Sequence, residues 1–280
     1  MTTNTPEKLI IGGQGKTGRR VLAQLQCRGV PARNGSRSST PAFDWHRPET
    51  WEPALKNVDA AYITYYPDLT FPSAPGHIKA FVETAVKAGV TKLVLLSGRG
   101  EAEARRCEKI VEASGADWTI VRCSFFYQNF SESFLREAVM QGTIALPVGD
   151  ILEPFVDVDD IADVVVAALT ESGHEEQIYE LTGPRLLHTR DVADEIAKAT
   201  GRPMKYVPIT IEQFEEGLKQ EGLPPDMVDL LVFLFRDVMD GRNASVQDGV
   251  QRALGRAPRD FSEFARNAAL AGSWSEVAVS

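Results

Sequence analysis

The chain has 280 residues, of which 43% are hydrophobic, so it can form one large domain or two small ones with a sizeable core. Its formal net charge of −9 removes the overall basicity that favours non-specific binding to nucleic acids. No apolar run reaches the length of a membrane span, and residues 1–8 lack the apolar core of a signal peptide. We therefore expect a soluble, cytoplasmic protein without a membrane or nucleic-acid partner.

The cysteine and histidine residues give no sign of a metal site. The cysteines are scattered without a C-x-x-C spacing and the histidines are isolated from one another: Cys27, Cys107, Cys123, His46, His77, His174 and His188. This pattern predicts reduced, buried thiols rather than disulfide bonds, and it predicts that no metal is bound.

The chain opens with a strand, a glycine-rich turn and a helix. Apolar residues 9–11 lead into the turn, and a helical pattern begins at Lys16 and ends at Gly29. Residues 13–18 fit the dinucleotide pattern G-x-G-x-x-G, and residues 12–18 fit the G-x-x-G-x-x-G variant of short-chain dehydrogenases. Such glycines let the backbone turn sharply and approach a pyrophosphate at the N-terminus of the helix.

Two other interpretations of this turn compete with a dinucleotide site. A P-loop for ATP would require a glycine at position 10, where the chain has Ile10. A glycine-rich turn that binds no ligand is compatible with the motif taken alone. The position of the motif after the first strand, and the loop described next, favour the dinucleotide.

The loop after the second predicted strand indicates which dinucleotide is bound. The strand covers residues 30–34 and the loop residues 35–39. An NAD enzyme usually places an acidic residue here for the ribose hydroxyls, but this loop has none. Arg37 stands between Ser36 and Ser38, and a guanidinium with two hydroxyls suits a 2′-phosphate. NADP(H) is therefore favoured over NAD(H), with a solvated surface arginine as the alternative.

Strands and helices continue to alternate through the first half of the chain. Strands are predicted at residues 42–45, 58–64, 92–96 and 118–121, and helices at residues 49–55, 78–88 and 101–114. The alternation implies right-handed βαβ crossovers, which predict an α/β fold with a doubly wound parallel (Rossmann) sheet. Ligands bind at the carboxyl ends of such strands, so the loop 65–68 should approach the cofactor. Asp44 and Trp45 fall where its adenine would lie.

The second half has a different rhythm and predicts a smaller, mainly helical C-terminal lobe. Helices are expected at residues 134–141, 159–170 and 189–199, strands at 143–146, 177–181 and 205–209, and almost only helix after Thr210. We assign residues 1–125, together with 153–172, to the cofactor-binding domain and residues 126–280 mainly to a substrate lobe.

One segment of this lobe, residues 227–239, is apolar on nearly every face. A helix of this kind is usually buried all round. It is plain core, the wall of an apolar substrate pocket that would include Phe233, or a subunit interface, which leaves a homodimer open.

Taken together, these motifs resemble the NmrA-like branch of atypical short-chain dehydrogenases. The similar segments extend over nearly the whole chain, at residues 12–18, 35–38, 43–45, 95–100, 118–122, 128–130, 154–162 and 255–261. Within this branch the chain is most similar to small bacterial NADPH-dependent reductases of quinones and azo dyes, and to the reductases of ergot-alkaloid synthesis. The branch also contains non-enzymatic redox sensors that bind NAD(P) and regulate partner proteins.

The resemblance implies roles for individual residues. The pyrophosphate would be held by Gly12, Gly13, Gln14, Gly15, Lys16, Thr17 and Gly18, and the 2′-phosphate by Ser36, Arg37 and Ser38. The dinucleotide would be lined by Tyr65, Tyr66 and Pro67, and its nicotinamide would be bordered by Ser97, Gly98, Ser124 and Phe126. The substrate would lie near Phe126, Tyr127, Asn129 and Phe155.

The chain departs from typical short-chain dehydrogenases in the residues that transfer a proton. None of its tyrosines has a lysine four residues further on, so the Tyr-x-x-x-Lys pair is missing. Ser97, Tyr127 and Lys109 are the alternative catalytic candidates, and each also has a purely structural interpretation. Because the chain lacks this proton-transferring pair, acceptors that take up hydride directly fit the sequence best.

The sequence thus predicts an NADPH-dependent oxidoreductase that reduces a small conjugated or aromatic acceptor of the quinone, azo or iminium type. The alternative is a non-enzymatic NADP(H)-sensing regulator that binds a protein partner.

Overall fold

The structure is a computed structural model that describes residues 5–275. The prediction about a signal peptide falls partly on residues 1–4, which lie outside the described residues. The described residues form two compact units. Unit 1 lies within Met1–Cys123, Val158–Leu181 and Asp248–Arg256, and unit 2 lies within Ser124–Asp157, Thr182–Gln247 and Ala257–Ser280.

Strands and helices alternate along much of residues 5–275. The strands, in chain order, are β1 (Glu7–Ile11), β2 (Ala32–Gly35), β3 (Val58–Ile63), β4 (Lys92–Gly98), β5 (Asp117–Cys123), β6 (Thr143–Leu146), β7 (Gln177–Leu181) and β8 (Lys205–Pro208). The α-helices are α1 (Lys16–Cys27), α2 (Trp51–Leu55), α3 (Ala74–Lys87), α4 (Ala104–Glu112), α5 (Asn129–Glu132), α6 (Leu135–Met140), α7 (Val158–Thr170), α8 (Thr189–Thr200), α9 (Ile211–Gln220), α10 (Pro225–Phe233), α11 (Gly249–Leu254) and α12 (Phe261–Leu270).

Unit 1 is built on a six-stranded parallel sheet in the order β2-β1-β3-β4-β5-β7. Its central strands are nearly continuous apolar runs because helices cover both faces of a parallel sheet. The strand order reverses between β1 and β3, so the carboxyl ends of these two strands border the crevice where such sheets bind ligands. The predicted doubly wound parallel sheet is therefore confirmed.

The predicted strand at residues 42–45 is wrong. The backbone groups of this segment are satisfied by the loop itself, because the Asp44 N–H donates to Thr50 Oγ1 at 3.0 Å and the Asp44 carbonyl accepts from Trp51 Nε1 at 2.8 Å. The Phe43 N–H donates to the Ser36 carbonyl at 2.8 Å. With these groups paired locally, the segment does not join the sheet.

The two faces of the sheet are covered differently. On one face, Phe43, Trp45, Trp51 and Phe81 form a cluster of edge-to-face and stacked rings, with Trp45 and Phe81 centroids 5.4 Å apart. Elsewhere in unit 1, α1 packs along α7, and Gln24 donates to Asp163 at 2.7 Å between these two helices.

The predicted helix 101–114 begins only at Ala104, which leaves residues 101–103 in the loop after β4.

Unit 2 is mainly helical, as predicted for the C-terminal lobe. Its strands β6 and β8 form a short parallel pair, and its core combines aliphatic side chains with eight aromatic ones: Tyr127, Phe130, Phe155, Phe214, Phe235, Phe261, Phe264 and Trp274. Within the apolar segment 227–239, α10 runs into a π-helical turn at Leu234–Val238, and most of its large side chains are buried.

Residues 5–275 lack two features, a membrane-spanning helix and a cluster of metal ligands. No helix in this range combines the length and apolarity that crossing a bilayer would require. Across the same residues, no three His, Cys, Asp or Glu side chains are grouped so that they could hold a metal ion.

Candidate functional site

The glycine turn joins β1 to α1 at the crevice of the sheet. Gly12 has a φ of +71°, a conformation that side chains other than glycine rarely adopt, and its carbonyl accepts from the Gly15 N–H at 2.8 Å. At Gly18, an added Cβ would overlap the Gly12 carbonyl oxygen. Gly12 and Gly18 are therefore required by the fold itself, the first for the turn and the second for the approach of α1.

Gly15 is different, because the fold does not need a glycine there. Its φ of −75° and ψ of 176° suit any residue, and it is exposed at the N-cap position of α1. Within the described residues, an added Cβ would meet only the Gly12 carbonyl oxygen, at 3.2 Å. A bare backbone at a helix N-terminus is a cradle that a Cβ would fill, and it fits the close approach of a pyrophosphate.

The predicted 2′-phosphate residues lie beside this turn. Gln14 Nε2 donates to Ser38 Oγ at 3.1 Å, and the hydroxyls of Ser36 and Ser38 are 3.3 Å apart. The Ser39 hydroxyl donates to the Ser36 carbonyl at 2.7 Å and accepts from the Ser36 N–H at 3.0 Å, which fixes the loop. Arg37 is exposed, and its guanidinium has no hydrogen-bond or ion-pair partner among residues 5–275. Gln14, Ser36, Arg37 and Ser38 thus offer donors on one polar surface.

Asn34 belongs to this surface, although the sequence did not single it out. Its Nδ2 donates to Ser36 Oγ at 3.3 Å, whereas its Oδ1 is buried without a partner in the described residues. This oxygen lies against Gly13, where an added Cβ would be 2.5 Å from it. A buried acceptor without a donor is costly, so it fits a site completed by a ligand. The signal in the sequence was a polar residue next to the end of a strand.

The residues predicted to line the rest of the dinucleotide are divided between core and surface. Trp45 is buried and donates to the Thr64 carbonyl at 3.1 Å, and the Tyr65 hydroxyl is bonded to Ser73 at 3.0 Å and His77 at 2.8 Å. Tyr66 is 72% exposed. Asp44 and Pro67 are half-buried in the neighbouring loops.

Ser97 lies at the carboxyl end of β4 in a buried polar network. Its hydroxyl donates to Glu108 Oε1 at 2.7 Å. The Arg122 guanidinium binds the same carboxylate through two bonds of 2.8 and 2.6 Å and reaches Glu180 at 3.2 Å. The Glu108 contact raises the pKa of Arg122. Because the Ser97 proton is engaged by a carboxylate, this placement favours a structural role over proton donation to a substrate.

The other two proton-donor candidates, Tyr127 and Lys109, lie in contrasting surroundings. Tyr127 is 1% exposed and donates to the Arg259 carbonyl at 3.1 Å within the core of unit 2. Lys109 is exposed on α4, where it borders a groove with Lys79 and Val86 of α3. Neither position supports the role that the resemblance had suggested.

Glu101 is a titratable residue that sequence reasoning missed. It follows β4 and is only 9% exposed, and its carboxyl group fills the space of the Cβ that Gly98 lacks. Burial, followed by repulsion from Asp68 and Glu108, raises the pKa of Glu101 to about 8. An acidic residue in a Gly-Arg-Gly-Glu loop resembles an exposed turn, so nothing in the sequence marked it.

The residues predicted to contact the substrate differ in their exposure. Phe126, Asn129 and Phe233 are half-buried, so part of each side chain is accessible. Phe155 is 2% exposed and packs against the rings of Phe130 and others, with a centroid distance of 5.9 Å. The interpretation of Phe155 as a pocket wall is therefore not supported, because its ring is enclosed by the core. Ser124, expected at the nicotinamide, is buried at the start of unit 2.

The parallel sheet, its switch point and the glycine turn define a dinucleotide-binding protein of the short-chain dehydrogenase type. The sequence model of the NmrA-like family matches residues 25–265. The chain belongs to the NmrA-like family, and the predicted family is confirmed.

Individual relatives agree with this assignment. The chain is 31% identical to an NAD(P)H azoreductase of Xenophilus azovorans, over 94% of this chain and 98% of the relative. It is 29% identical to a festuclavine dehydrogenase of Aspergillus fumigatus, over 92% of this chain and 96% of the relative. Among solved structures, an NADPH-dependent quinone oxidoreductase of Escherichia coli has a TM-score of 0.79 at 20% identity, covering 93% of this chain and 99% of that chain. This last similarity concerns the fold.

Proposed function

We propose that the chain reduces a small conjugated or aromatic molecule, of the quinone, azo or iminium type, with hydride from NADPH. At the broader level, the chain is an NADP(H)-dependent reductase. The prediction of a reductase with a nicotinamide cofactor is confirmed by curated relatives named as an NAD(P)H azoreductase and as clavine-type dehydrogenases.

The observation that carries the NADPH part of the proposal is the polar surface beside the glycine turn. Gln14, Ser36 and Ser38 converge there, and Arg37, between the two serines in the chain, has no partner within the described residues to compete for its guanidinium. A planar guanidinium and short hydroxyl donors bind phosphate oxygens through charge-assisted hydrogen bonds. We assign the 2′-phosphate to these residues and the pyrophosphate to the turn at Gly15.

The remaining assignments concern the acceptor. We assign contacts with it to the half-buried side chains of Phe126, Asn129 and Phe233. The missing Tyr-x-x-x-Lys pair supports an acceptor that does not need an alcohol–ketone proton relay. A relative named as an NAD(P)H azoreductase supports the azo class within the proposal.

When bound, NADPH supplies a hydride with its two electrons. The chain's own residues would bind and orient it: the first turn of α1 would hold the phosphates, and Glu108 pairs with Arg122 and accepts from Ser97 at the end of β4. The regulator alternative gains no support, since the solved NmrA structure matches at 13% identity and a TM-score of 0.71, a similarity of fold alone.

The test is stopped-flow oxidation of NADPH, without oxygen, against a panel of quinones, azo dyes and cyclic iminium ions. We expect rapid oxidation with at least one of these classes. The matched control is Gly15→Val, which should remove NADPH binding while the protein remains folded. A wild-type protein that binds NADPH tightly but oxidises it with no member of the panel would contradict the proposal.

A further inference from the structure

Glu101 is a buried carboxyl group at the edge of the sheet where ligands bind. It lies in the loop after β4, and its carboxyl group rests against the backbone of Gly98, the last residue of that strand. β4 lies between β3 and β5 in the sheet, so Glu101 is placed at the carboxyl ends of three adjacent parallel strands. This edge is where open α/β sheets bind their ligands.

The surroundings of Glu101 offer it no partner for a negative charge. Among residues 5–275 it has no hydrogen bond or ion pair. The guanidiniums of the neighbouring network bind other carboxylates: Arg99 binds Glu180, and Arg122 binds Glu108 and Glu180. Such a carboxyl group, 9% exposed, is more stable when it carries a proton.

The ionisable groups that face Glu101 all disfavour its ionisation or are neutral. Asp68, in the loop after β3, and Glu108, on α4, both repel a charge on it. Cys123, at the end of β5, is itself buried, and burial raises the pKa of its thiol well above the usual value. Glu101 therefore holds a proton at neutral pH, with a pKa of about 8.

Glu108, seven positions further along the chain, shows that a buried glutamate in this region does not always lack a partner. Glu108 is more deeply buried, at 1% exposure, yet it receives two bonds from Arg122 and one from Ser97. Its carboxyl oxygens are therefore engaged as hydrogen-bond acceptors. Of the two glutamates, only Glu101 carries a proton and has no hydrogen-bond or ion-pair partner in the described residues.

We propose that Glu101 is the proton donor of the reductase for acceptors that need a proton after hydride addition. This inference rests on the proposed function, and it supplies the acid that the missing Tyr-x-x-x-Lys pair leaves unassigned. For a quinone, hydride from NADPH adds two electrons and one hydrogen and leaves an anionic oxygen. The O–H bond of the Glu101 carboxyl breaks, a bond between that proton and the anionic oxygen forms, and a hydroquinone results. Water then returns a proton to the Glu101 carboxylate.

An iminium ion provides the contrast that tests this role. Hydride addition to its C=N⁺ bond gives a neutral amine, so no proton is required. A proton donor should therefore matter for the quinone and not for the iminium ion. A residue that only supports the fold would affect both acceptors alike.

The first experiment measures single-turnover rates of wild type, Glu101→Gln and Glu103→Gln with both acceptors. Glu103 is the matched control, since it is exposed in the same segment and its carboxylate is 3.0 Å from Arg106. At pH 7, we expect Glu101→Gln to lower the quinone rate by 10²- to 10⁴-fold, the usual effect of losing a general acid, and to leave the iminium rate within about threefold. Glu103→Gln should leave both rates unchanged.

The second experiment needs no turnover and no cofactor. A carboxyl group whose pKa is raised on folding binds its proton more tightly in the folded state, so rising pH favours unfolding between the unfolded value of 4.5 and the folded value of about 8. In urea titrations, the unfolding constant of wild type relative to Glu101→Gln should increase by up to about tenfold per pH unit in this window and then level off. Relative to Glu103→Gln, Glu101→Gln should remove this part of the pH dependence.

The outcomes separate the two proposals. If Glu101→Gln reduces the quinone at the wild-type rate, or if its unfolding shows the same pH dependence as wild type, the proton-donor role is wrong and the proposed function stands. If wild type reduces neither acceptor, the proposed function fails. Should Glu101→Gln not fold, wild type alone decides: its quinone rate must fall above about pH 8 while its iminium rate does not.

Discussion

Unit 1 buries an ion-paired polar network at the end of β4, whereas the core of unit 2 holds more aromatic rings than the core of unit 1. In unit 1, Ser97, Glu108 and Arg122 satisfy one another beneath the end of β4. In unit 2, the rings of Phe155 and Tyr127 pack against Phe261, with centroids 6.5 and 4.9 Å away. We therefore expect substitutions in the two units to impair different properties of the protein. Changes at the edge of the sheet in unit 1 should alter binding or proton transfer, and changes to the rings of unit 2 should alter stability.

The largest effect should come from Phe155→Ala. The ring is 2% exposed, and removing a buried phenyl group typically lowers the free energy of unfolding by about 3–5 kcal/mol. Urea denaturation measures the loss, with Phe126→Ala as the control because Phe126 is only half-buried. If Phe155→Ala were as stable as wild type but slow with every acceptor, Phe155 would be a pocket wall and the division between the units would be wrong.

Gly15 and Gly18, at the start of α1, allow effects on binding and on stability to be compared within unit 1. Gly18→Val should lower the free energy of unfolding by about 3 kcal/mol, because its side chain would overlap the Gly12 backbone. Gly15→Val should cost much less stability, since only one backbone oxygen lies near its Cβ, yet it should abolish NADPH binding. Calorimetric titration together with urea denaturation separates the effects. Unchanged NADPH affinity in folded Gly15→Val would reduce the motif to a structural turn.

The features that the sequence predicted well are those fixed by local backbone geometry. The parallel sheet follows from alternating apolar strands and helices, and the turn follows from glycines whose spacing suits one strand–helix junction. The role of Arg37 and its serines at the 2′-phosphate stays a prediction, made from their place after the second strand.

The features that the sequence missed depend on contacts between distant residues. The segment 42–45 is extended in pattern, but Thr50 and Trp51 take up its backbone groups. Glu101 is buried because Gly98 leaves space for its carboxyl group, and its charge is disfavoured partly by Asp68, which is 33 positions earlier in the chain. Neither relation has a periodic signal in the sequence.

A moderate effect is expected at the 2′-phosphate surface. Arg37→Ala should remove most of the preference for NADPH over NADH, at a cost of about 1–3 kcal/mol in NADPH binding, because a charged hydrogen bond is lost. Since Arg37 is exposed and has no partner in the described residues, the stability of the fold should not change. Calorimetry with both cofactors provides the measurement. Equal affinity of wild type for NADPH and NADH would show that this surface does not bind the 2′-phosphate.

A smaller effect is expected at Ser97. Ser97→Ala removes one hydrogen bond to Glu108 but leaves the two bonds from Arg122, so the free energy of unfolding should fall by about 1 kcal/mol. The quinone rate should fall far less than with Glu101→Gln. A loss of quinone reduction in Ser97→Ala that matched the loss in Glu101→Gln would mean that the serine takes part in proton transfer.

The smallest effect is expected at Lys109, which is the surface counterpart of these buried groups. Its ammonium lies on the exposed side of α4, beside Lys79 of α3, and not at the carboxyl edge of the sheet. Lys109→Ala should change the free energy of unfolding by less than about 0.5 kcal/mol, as is usual for exposed positions. Its single-turnover rates with quinone and iminium acceptors should equal those of wild type across pH 6–9, because no proton path includes this side chain. A drop in the quinone rate of Lys109→Ala by about 10²-fold, with the iminium rate preserved, would identify the lysine as the acid and displace Glu101 from that role.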